Sequence, residues 1–226
     1  MEQLQEKVWY TTSMQQVFIF DMDGVLINSE IPWHRELDAI WPDLIGKDVA
    51  VVFPVPVGLT PQGIFEGARQ HGSQVTKEKF YRAFEAIAKE VYEEAPITEG
   101  TEELAAFLLE KSFKLGIVSS SPLAWIKRVI HRLSFSQEIE YVVSINDRPD
   151  LQPKPSPVAY LEAIAHLKGD RTIILEDSNS GIQAAKKAGA FTIGLQTNLL
   201  KGYTQHGADA YAQTMEEVID LVTKFL

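Results

Sequence analysis

The sequence predicts an α/β protein with a parallel sheet and a helical segment inserted into it. Short apolar runs of the length of buried strands alternate with helix-like segments over most of the chain. That alternation is typical of parallel α/β sheets. The first and second runs are separated by a long stretch without a convincing strand, which predicts the insertion.

Five apolar runs are expected to form the sheet because each is short and bounded by polar or turn residues. The insertion lies between the first and second runs, and a helix-like segment separates each later run from the next. The runs are residues 17–20, 115–118, 141–143, 172–175 and 191–195.

Several helix ends can also be identified from the sequence. Thr101 begins a segment with acidic residues in its first turn, and Pro122 lies at the start of another. Thr214 and Glu217 have the spacing of a capping box. Gly189 is expected to close the helix that precedes it.

The insertion contains three helix-like segments, residues 31–41, 61–72 and 76–95, and a breaker-rich connection at 53–61. A crossover between parallel strands needs only about a dozen residues. The surplus therefore predicts a helical cap domain at 29–96 on a core domain formed by 1–28 and 97–226. Hinges are expected near residues 28–30 and 95–98.

Composition limits the possible functions of the chain. Its 226 residues are 45% hydrophobic, enough for a substantial core, and the absence of cysteine excludes disulfides and a thiolate nucleophile. A formal net charge of −10 argues against nucleic acid as a partner. The N-terminus lacks the pattern of a secretory signal, and no apolar run has membrane-spanning length. We therefore expect a cytoplasmic monomer that does not bind membranes.

Two carboxylates follow the first predicted strand. Asp21 and Asp23 are two residues apart, so in an extended backbone they project to the same side, while Met22 turns away. Gly24 then allows a sharp bend. The pair is expected at the carboxyl end of a central strand, where open α/β sheets bind ligands.

A second acidic pair, Glu176 and Asp177, follows the fourth predicted strand. If the two strands are neighbours, four carboxylates converge, and they require a cation because like charges at short range cannot all ionise unaided. An all-oxygen ligand set favours Mg²⁺. Each pair taken alone is equally compatible with a solvated turn or a helix cap.

Two further segments carry polar groups that suit a phosphate. Ser119, Ser120 and Ser121 end the second strand, where hydroxyl and amide groups can hold phosphate oxygens, although serines before a helix are also ordinary caps. Lys154 stands between two prolines in a stiff loop that can fix one cation, although a loop lysine is usually solvated.

The order of these four motifs resembles the haloacid dehalogenase-like (HAD) superfamily, and within it the phosphatases and phosphomutases related to β-phosphoglucomutase. The resemblance covers residues 15–28 and 97–226. It implies a Rossmann-like core with a helical cap and a phosphatase acting on a small phosphorylated metabolite. None of the five histidines falls in these motifs.

The resemblance also implies catalytic roles. Asp21 would attack phosphorus and form an aspartyl-phosphate, and Asp23 would protonate the leaving oxygen and then activate water. Ser119, with Ser120, would bind the phosphoryl group. Lys154 would pair with both Asp21 and the phosphate.

Metal ligands follow from the same resemblance. Mg²⁺ would be held by Asp177, by a carboxylate oxygen of Asp21 and by the backbone carbonyl of Asp23, with Glu176 acting at least through water.

The insertion departs from the β-phosphoglucomutase pattern. Trp33 takes the position of that enzyme's cap histidine and is expected to face the substrate, and residues 48–68 contain no Lys or Arg to grip a second phosphate. A phosphatase is therefore favoured over a phosphosugar mutase, which remains an alternative. A non-catalytic binding protein is the alternative from another class, but it would have no need for four mutually repelling carboxylates.

Overall fold

The computed structural model describes residues 14–55 and 59–226, and within that part of the chain it contains one parallel sheet. The strand order is β3-β2-β1-β4-β5-β6, so β1 lies at the centre between β2 and β4. The strands are β1 Gln16–Phe20, β2 Lys114–Ser119, β3 Ile139–Ser144, β4 Arg171–Glu176, β5 Phe191–Leu195 and β6 Ala210–Ala212.

Nine α-helices accompany the sheet in the described residues, and none of them is long and apolar enough to cross a bilayer. The first five lie between β1 and β2, and we refer to the first four of these as the helical insert. The helices are α1 Glu30–Ile45, α2 Lys47–Val52, α3 Pro61–Gln70, α4 Lys77–Glu94, α5 Thr101–Glu110, α6 Leu123–Ile130, α7 Val158–Leu167, α8 Asn179–Lys187 and α9 Met215–Phe225.

The predicted α/β fold is confirmed, and all five predicted strands are present with ends that differ by at most two residues. The sequence missed β6, a three-residue edge strand whose Tyr211 is exposed, because so short a segment shows no periodicity. It also missed α2. Of the predicted breaker-rich connection, residues 56–58 lie outside the described part, as do residues 1–13 of the predicted core domain.

Two apolar clusters cover the two faces of the sheet. On one face Phe18 and Phe20 of β1 pack in a cluster that includes residues of α5, α6 and α9 and continues into the helical insert. On the other face Val17 and Ile19 pack against residues of α7 and α8. Side chains of one strand alternate between the faces, so both faces of β1 are buried and its carboxyl end is fixed in place.

The predicted helix ends are confirmed where the structure describes them. Helix α5 begins at Thr101, and the hydroxyl of Thr214 accepts a hydrogen bond from the amide of Glu217 at the start of α9. Gly189 follows α8 with a φ of 81°, a conformation that favours glycine.

The chain enters and leaves the helical insert along two adjacent segments. The amide of Asn28 donates to the carbonyl of Pro96 at 3.0 Å, and the amide of Thr98 donates to the carbonyl of Leu26 at 3.1 Å. Both segments therefore start close to the end of β1, which places the insert over the carboxyl edge of the sheet.

Candidate active site

The predicted site residues converge at the carboxyl ends of three adjacent strands. Asp21 directly follows β1, Ser119 ends β2, and Glu176 ends β4. Because β1 lies between β2 and β4, this is the point where the strand order reverses, which is where open α/β sheets bind ligands. Met22 packs in the apolar core, while Asp21 and Asp23 both line one cavity, as the two-residue spacing predicted.

Lys154 supplies the positive charge of this site. Its Nζ lies 2.5 Å from Oδ1 of Asp21 and 2.6 Å from Oε1 of Glu176, and all three side chains are buried. Burial acts to lower the pKa of Lys154, but the charges of Asp21 and Glu176 outweigh it, so the pKa lies well above its ordinary value. The lysine therefore remains charged.

Glu176 is hydrogen-bonded through both carboxylate oxygens. Oε1 accepts from the hydroxyl of Tyr160 at 2.7 Å in addition to Lys154, and Oε2 accepts from the amides of Asp177 and Ser178 at 3.1 Å each. Helix α8 approaches this carboxylate so closely that a Cβ on Gly181 would lie 1.7 Å from Oε1. The glycine in the Glu-Asp-Ser-x-x-Gly motif is therefore required for this close approach.

Asp21, Glu176 and Asp177 form a buried cluster in which one oxygen of each lies within 4.8 Å of the others. Opposite ligands of Mg²⁺ are about 4.2 Å apart, so the cluster fits that ion with small adjustments. Burial raises the pKa of Asp21 well above its ordinary value; Lys154 opposes this effect, and the charges of Glu176 and Asp23 add to it. The cluster thus places three carboxylates beside one lysine, and the residues fit a hard cation.

The carboxylate of Asp23 lies outside that cluster and is held by three hydroxyl groups. Oδ1 accepts from Ser29 at 2.8 Å and from Tyr92 at 2.7 Å, and Oδ2 accepts from Ser121 at 2.8 Å. Ser29 and Tyr92 were not predicted as site residues, and Ser121 was not distinguished from its neighbours. The turn after Asp23 contains Gly24 with a φ of 75°, which confirms the predicted bend.

The three serines after β2 differ in position. Ser119 is completely buried, and its hydroxyl accepts a hydrogen bond from the amide of Ser121 at 3.0 Å. Ser120 and Ser121 line the cavity.

Aromatic side chains form much of the remaining cavity wall. The ring of Trp33 lies 5.6 Å from Phe84, 5.8 Å from Tyr92 and 5.4 Å from Trp125, between ring centroids. Trp33 lines the cavity. His34, which the motifs did not include, also lines it, and burial lowers the pKa of His34 against the opposing charge of Asp38.

Comparison with known proteins identifies the family. The family model described as haloacid dehalogenase-like hydrolase matches residues 18–195. Hexitol phosphatase B of Escherichia coli (strain K12) is 32% identical over 178 residues, which cover 75% of this chain and 78% of that protein. Validoxylamine A 7'-phosphate phosphatase of Streptomyces hygroscopicus subsp. limoneus is 28% identical over 209 residues, which cover 88% of this chain and 91% of that protein.

A solved structure from Thermotoga maritima, assigned as a β-phosphoglucomutase, shares the fold. Its TM-score is 0.68 at 24% identity, with 94% of this chain and 100% of that chain covered. The chain therefore belongs to the haloacid dehalogenase-like hydrolases. The predicted class of phosphoric monoester hydrolase is confirmed by the same relatives.

Proposed function

We propose that this protein is a Mg²⁺-dependent phosphatase that hydrolyses a small phosphorylated metabolite through an aspartyl-phosphate on Asp21. The observation that carries the proposal is the position of the Lys154 ammonium group between Asp21 and Glu176, beside Asp177. An anionic substrate can approach a carboxylate nucleophile only where cations compensate the repulsion, and phosphoryl transfer depends mainly on such compensation and on positioning.

The chain's own residues divide the reaction between them. Asp21 attacks phosphorus, and Asp23 gives a proton to the leaving oxygen and later takes one from the attacking water. Lys154 pairs with Asp21 and with phosphoryl oxygens. Ser120, which lines the cavity, and Ser119, which is buried at the end of β2, would bind the phosphoryl group.

Asp21, Asp177 and the backbone carbonyl of Asp23 would hold the metal ion. Glu176 would act through water, since both of its oxygens already accept hydrogen bonds. Bound Mg²⁺ would neutralise charge on the transferring phosphoryl group.

The cavity wall supports a substrate with a single phosphate. Lys154 is the only Lys or Arg among the described residues that line the cavity, so a second phosphate would meet no lysine or arginine on the side of the insert. The relatives described above act on phosphorylated hexitols and on validoxylamine A 7'-phosphate, which also supports a small metabolite. A phosphosugar mutase must bind a bisphosphate intermediate, so this alternative has less support.

Residues 29–96 would serve as a cap on a core formed by 1–28 and 97–226, hinged near 28–30 and 95–98. The two segments that connect the insert run side by side, which suits a hinge. Closure would exclude bulk water from the aspartyl-phosphate. Trp33 would contact the part of the substrate beyond the phosphate.

The test is phosphate release from a panel of phosphorylated metabolites by purified protein with Mg²⁺, with excess chelator and by Asp21→Asn. We expect release only by the wild type with metal. Full activity in the variant or in chelator would overturn the proposal, and so would an inactive wild type on every member of the panel. Interconversion of a sugar 1-phosphate and its 6-phosphate would favour the mutase.

A further inference from the structure

We propose that Tyr92, a residue of the helical insert, is a positioning residue for Asp23, so that the insert sets the geometry of proton transfer. The inference rests on the proposed function, in which Asp23 exchanges protons with the leaving group and with water. It adds a residue that lies outside all four sequence motifs.

The hydrogen bonds around Asp23 come from three different parts of the chain. Tyr92 near the end of α4 donates to Oδ1 at 2.7 Å, Ser29 just before α1 donates to the same oxygen at 2.8 Å, and Ser121 after β2 donates to Oδ2 at 2.8 Å. The hydroxyl oxygens of Tyr92 and Ser121 are themselves 3.2 Å apart. Each carboxylate oxygen thus has a donor, and the rotation of the carboxylate is fixed from both sides.

Tyr92 is itself firmly held. Its side chain is buried, and its ring packs 5.8 Å from Trp33 and 5.6 Å from Trp125, between centroids. Its backbone carbonyl accepts a hydrogen bond from Nη1 of Arg132 at 2.9 Å, and Glu85 on the same helix accepts from Nε1 of Trp125 at 2.7 Å. The hydroxyl is therefore a rigid donor whose position depends on the docking of α4 against the core.

The nucleophile is fixed independently of this tyrosine. Asp21 is held by Lys154, whereas Asp23 is held by the hydroxyl groups of Ser29, Tyr92 and Ser121. Loss of the Tyr92 hydroxyl should therefore misdirect the proton donor and leave the attack on phosphorus intact. Misplacement of a catalytic group by about 1 Å can cost roughly a hundredfold in rate.

The test is Tyr92→Phe, which keeps the ring and removes only the hydroxyl. We would measure kcat/KM for phosphate esters whose leaving groups differ in acidity, because an alkyl alcohol needs a proton to leave and p-nitrophenol does not. We expect a loss of about tenfold or more for alkyl phosphates and of less than about threefold for p-nitrophenyl phosphate. Tyr141→Phe is the matched control, since its hydroxyl donates to Glu162 at 2.8 Å on another part of the core; it should change neither value.

Other outcomes would overturn the inference. Equal losses on both ester classes would mean that Tyr92 serves packing alone, and unchanged values on both would mean that Asp23 does not depend on it. A loss that follows the size of the substrate and not the acidity of its leaving group would make Tyr92 a substrate contact. Inactivity of the wild type on every ester would instead refute the proposed function, and this inference with it.

Discussion

The ammonium group of Lys154 lies 2.5 Å from Oδ1 of Asp21, and both side chains are buried. The same ammonium group contacts Glu176, so one cation serves two carboxylates, with Asp177 close by. The charge balance of the site therefore depends on this lysine and on any cation that joins it.

Replacement of Lys154 by Met should remove activity and destabilise the fold. Asp21 and Glu176 would remain buried without their cation. Loss of one partner of a buried ion pair costs about 3–5 kcal/mol of unfolding free energy. Activity should fall at least about a hundredfold, because a charge that stabilises the transition state is lost. Urea unfolding in chelator and a phosphate-release assay measure the two effects. Lys201→Met, at an exposed position, is the control and should change stability by less than about 0.5 kcal/mol.

The raised pKa of Asp21 predicts how stability and metal affinity vary with pH. In metal-free protein the folded state retains the proton of Asp21 above the ordinary pKa of 3.8. The stabilisation from this group is thus complete below that value and is lost as pH rises through the folded-state pKa. We expect the unfolding free energy of the wild type minus that of Asp21→Asn, both measured in chelator, to fall as pH rises from about 4.

The affinity for Mg²⁺ should rise with pH, whereas the stabilisation of the metal-free protein by Asp21 falls. The ion binds the ionised carboxylate, so the dissociation constant measured by calorimetry should decrease as pH rises over the same interval, with release of protons. A dissociation constant that is independent of pH, together with a constant stability difference, would contradict the raised pKa of Asp21.

Gly181 should tolerate no side chain. A Cβ there would lie 1.7 Å from Oε1 of Glu176, so Gly181→Ala must displace α8 or the carboxylate. We expect a loss of about 1–3 kcal/mol in unfolding free energy, the usual cost of forcing extra volume into a packed site, together with reduced activity. Gly63→Ala is the matched control in helix α3, where the nearest atom would be Oγ1 of Thr60 at 3.3 Å. Equal effects of the two substitutions would show that contact with Glu176 is unimportant.

Much of this site could be predicted because it lies directly at strand ends. A buried strand has a strong local pattern, and the residue that follows it has a defined position at the sheet edge, which is why Asp21 and Glu176 could be placed together. Lys154 lies in a loop between β3 and α7, and its pairing with Asp21 was predicted from the family resemblance. The motif order then identified the family.

The contribution of the helical insert could not be predicted in the same way. Tyr92 belongs to the buried stripe of α4 together with Phe80, Phe84 and Val91, and helical spacing does not distinguish a core aromatic residue from one that reaches a site. His34 likewise shows no motif. Their positions depend on how α1 and α4 pack over the sheet, which is tertiary information.

Replacement of Asp23 by Asn should separate the two halves of the reaction. The amide cannot accept the proton of the attacking water, so phosphorylated Asp21 should accumulate with substrates whose leaving groups need no proton. Turnover should fall by about a hundredfold or more. Rapid quenching followed by mass spectrometry would detect the phosphorylated chain, and Asp21→Asn should show none. Wild-type turnover without accumulation would rule out acid and base catalysis by Asp23.

Replacement of Trp33 by Ala should affect large substrates selectively. The indole lines the cavity from α1 and packs on Phe84 and Trp125, so its loss removes a wall that the phosphate itself does not need. We expect kcat/KM for the best metabolite to fall about tenfold, equivalent to about 1.4 kcal/mol of transition-state binding, and that for methyl phosphate to change by less than about threefold. The metabolite should be chosen among the alkyl phosphates of the panel, so that both substrates have the same demand for a proton. Ile31→Ala, an exposed position on the same helix, is the control and should leave both values unchanged. Equal losses on the two substrates would mean that Trp33 supports folding or closure of the cap and does not select the substrate.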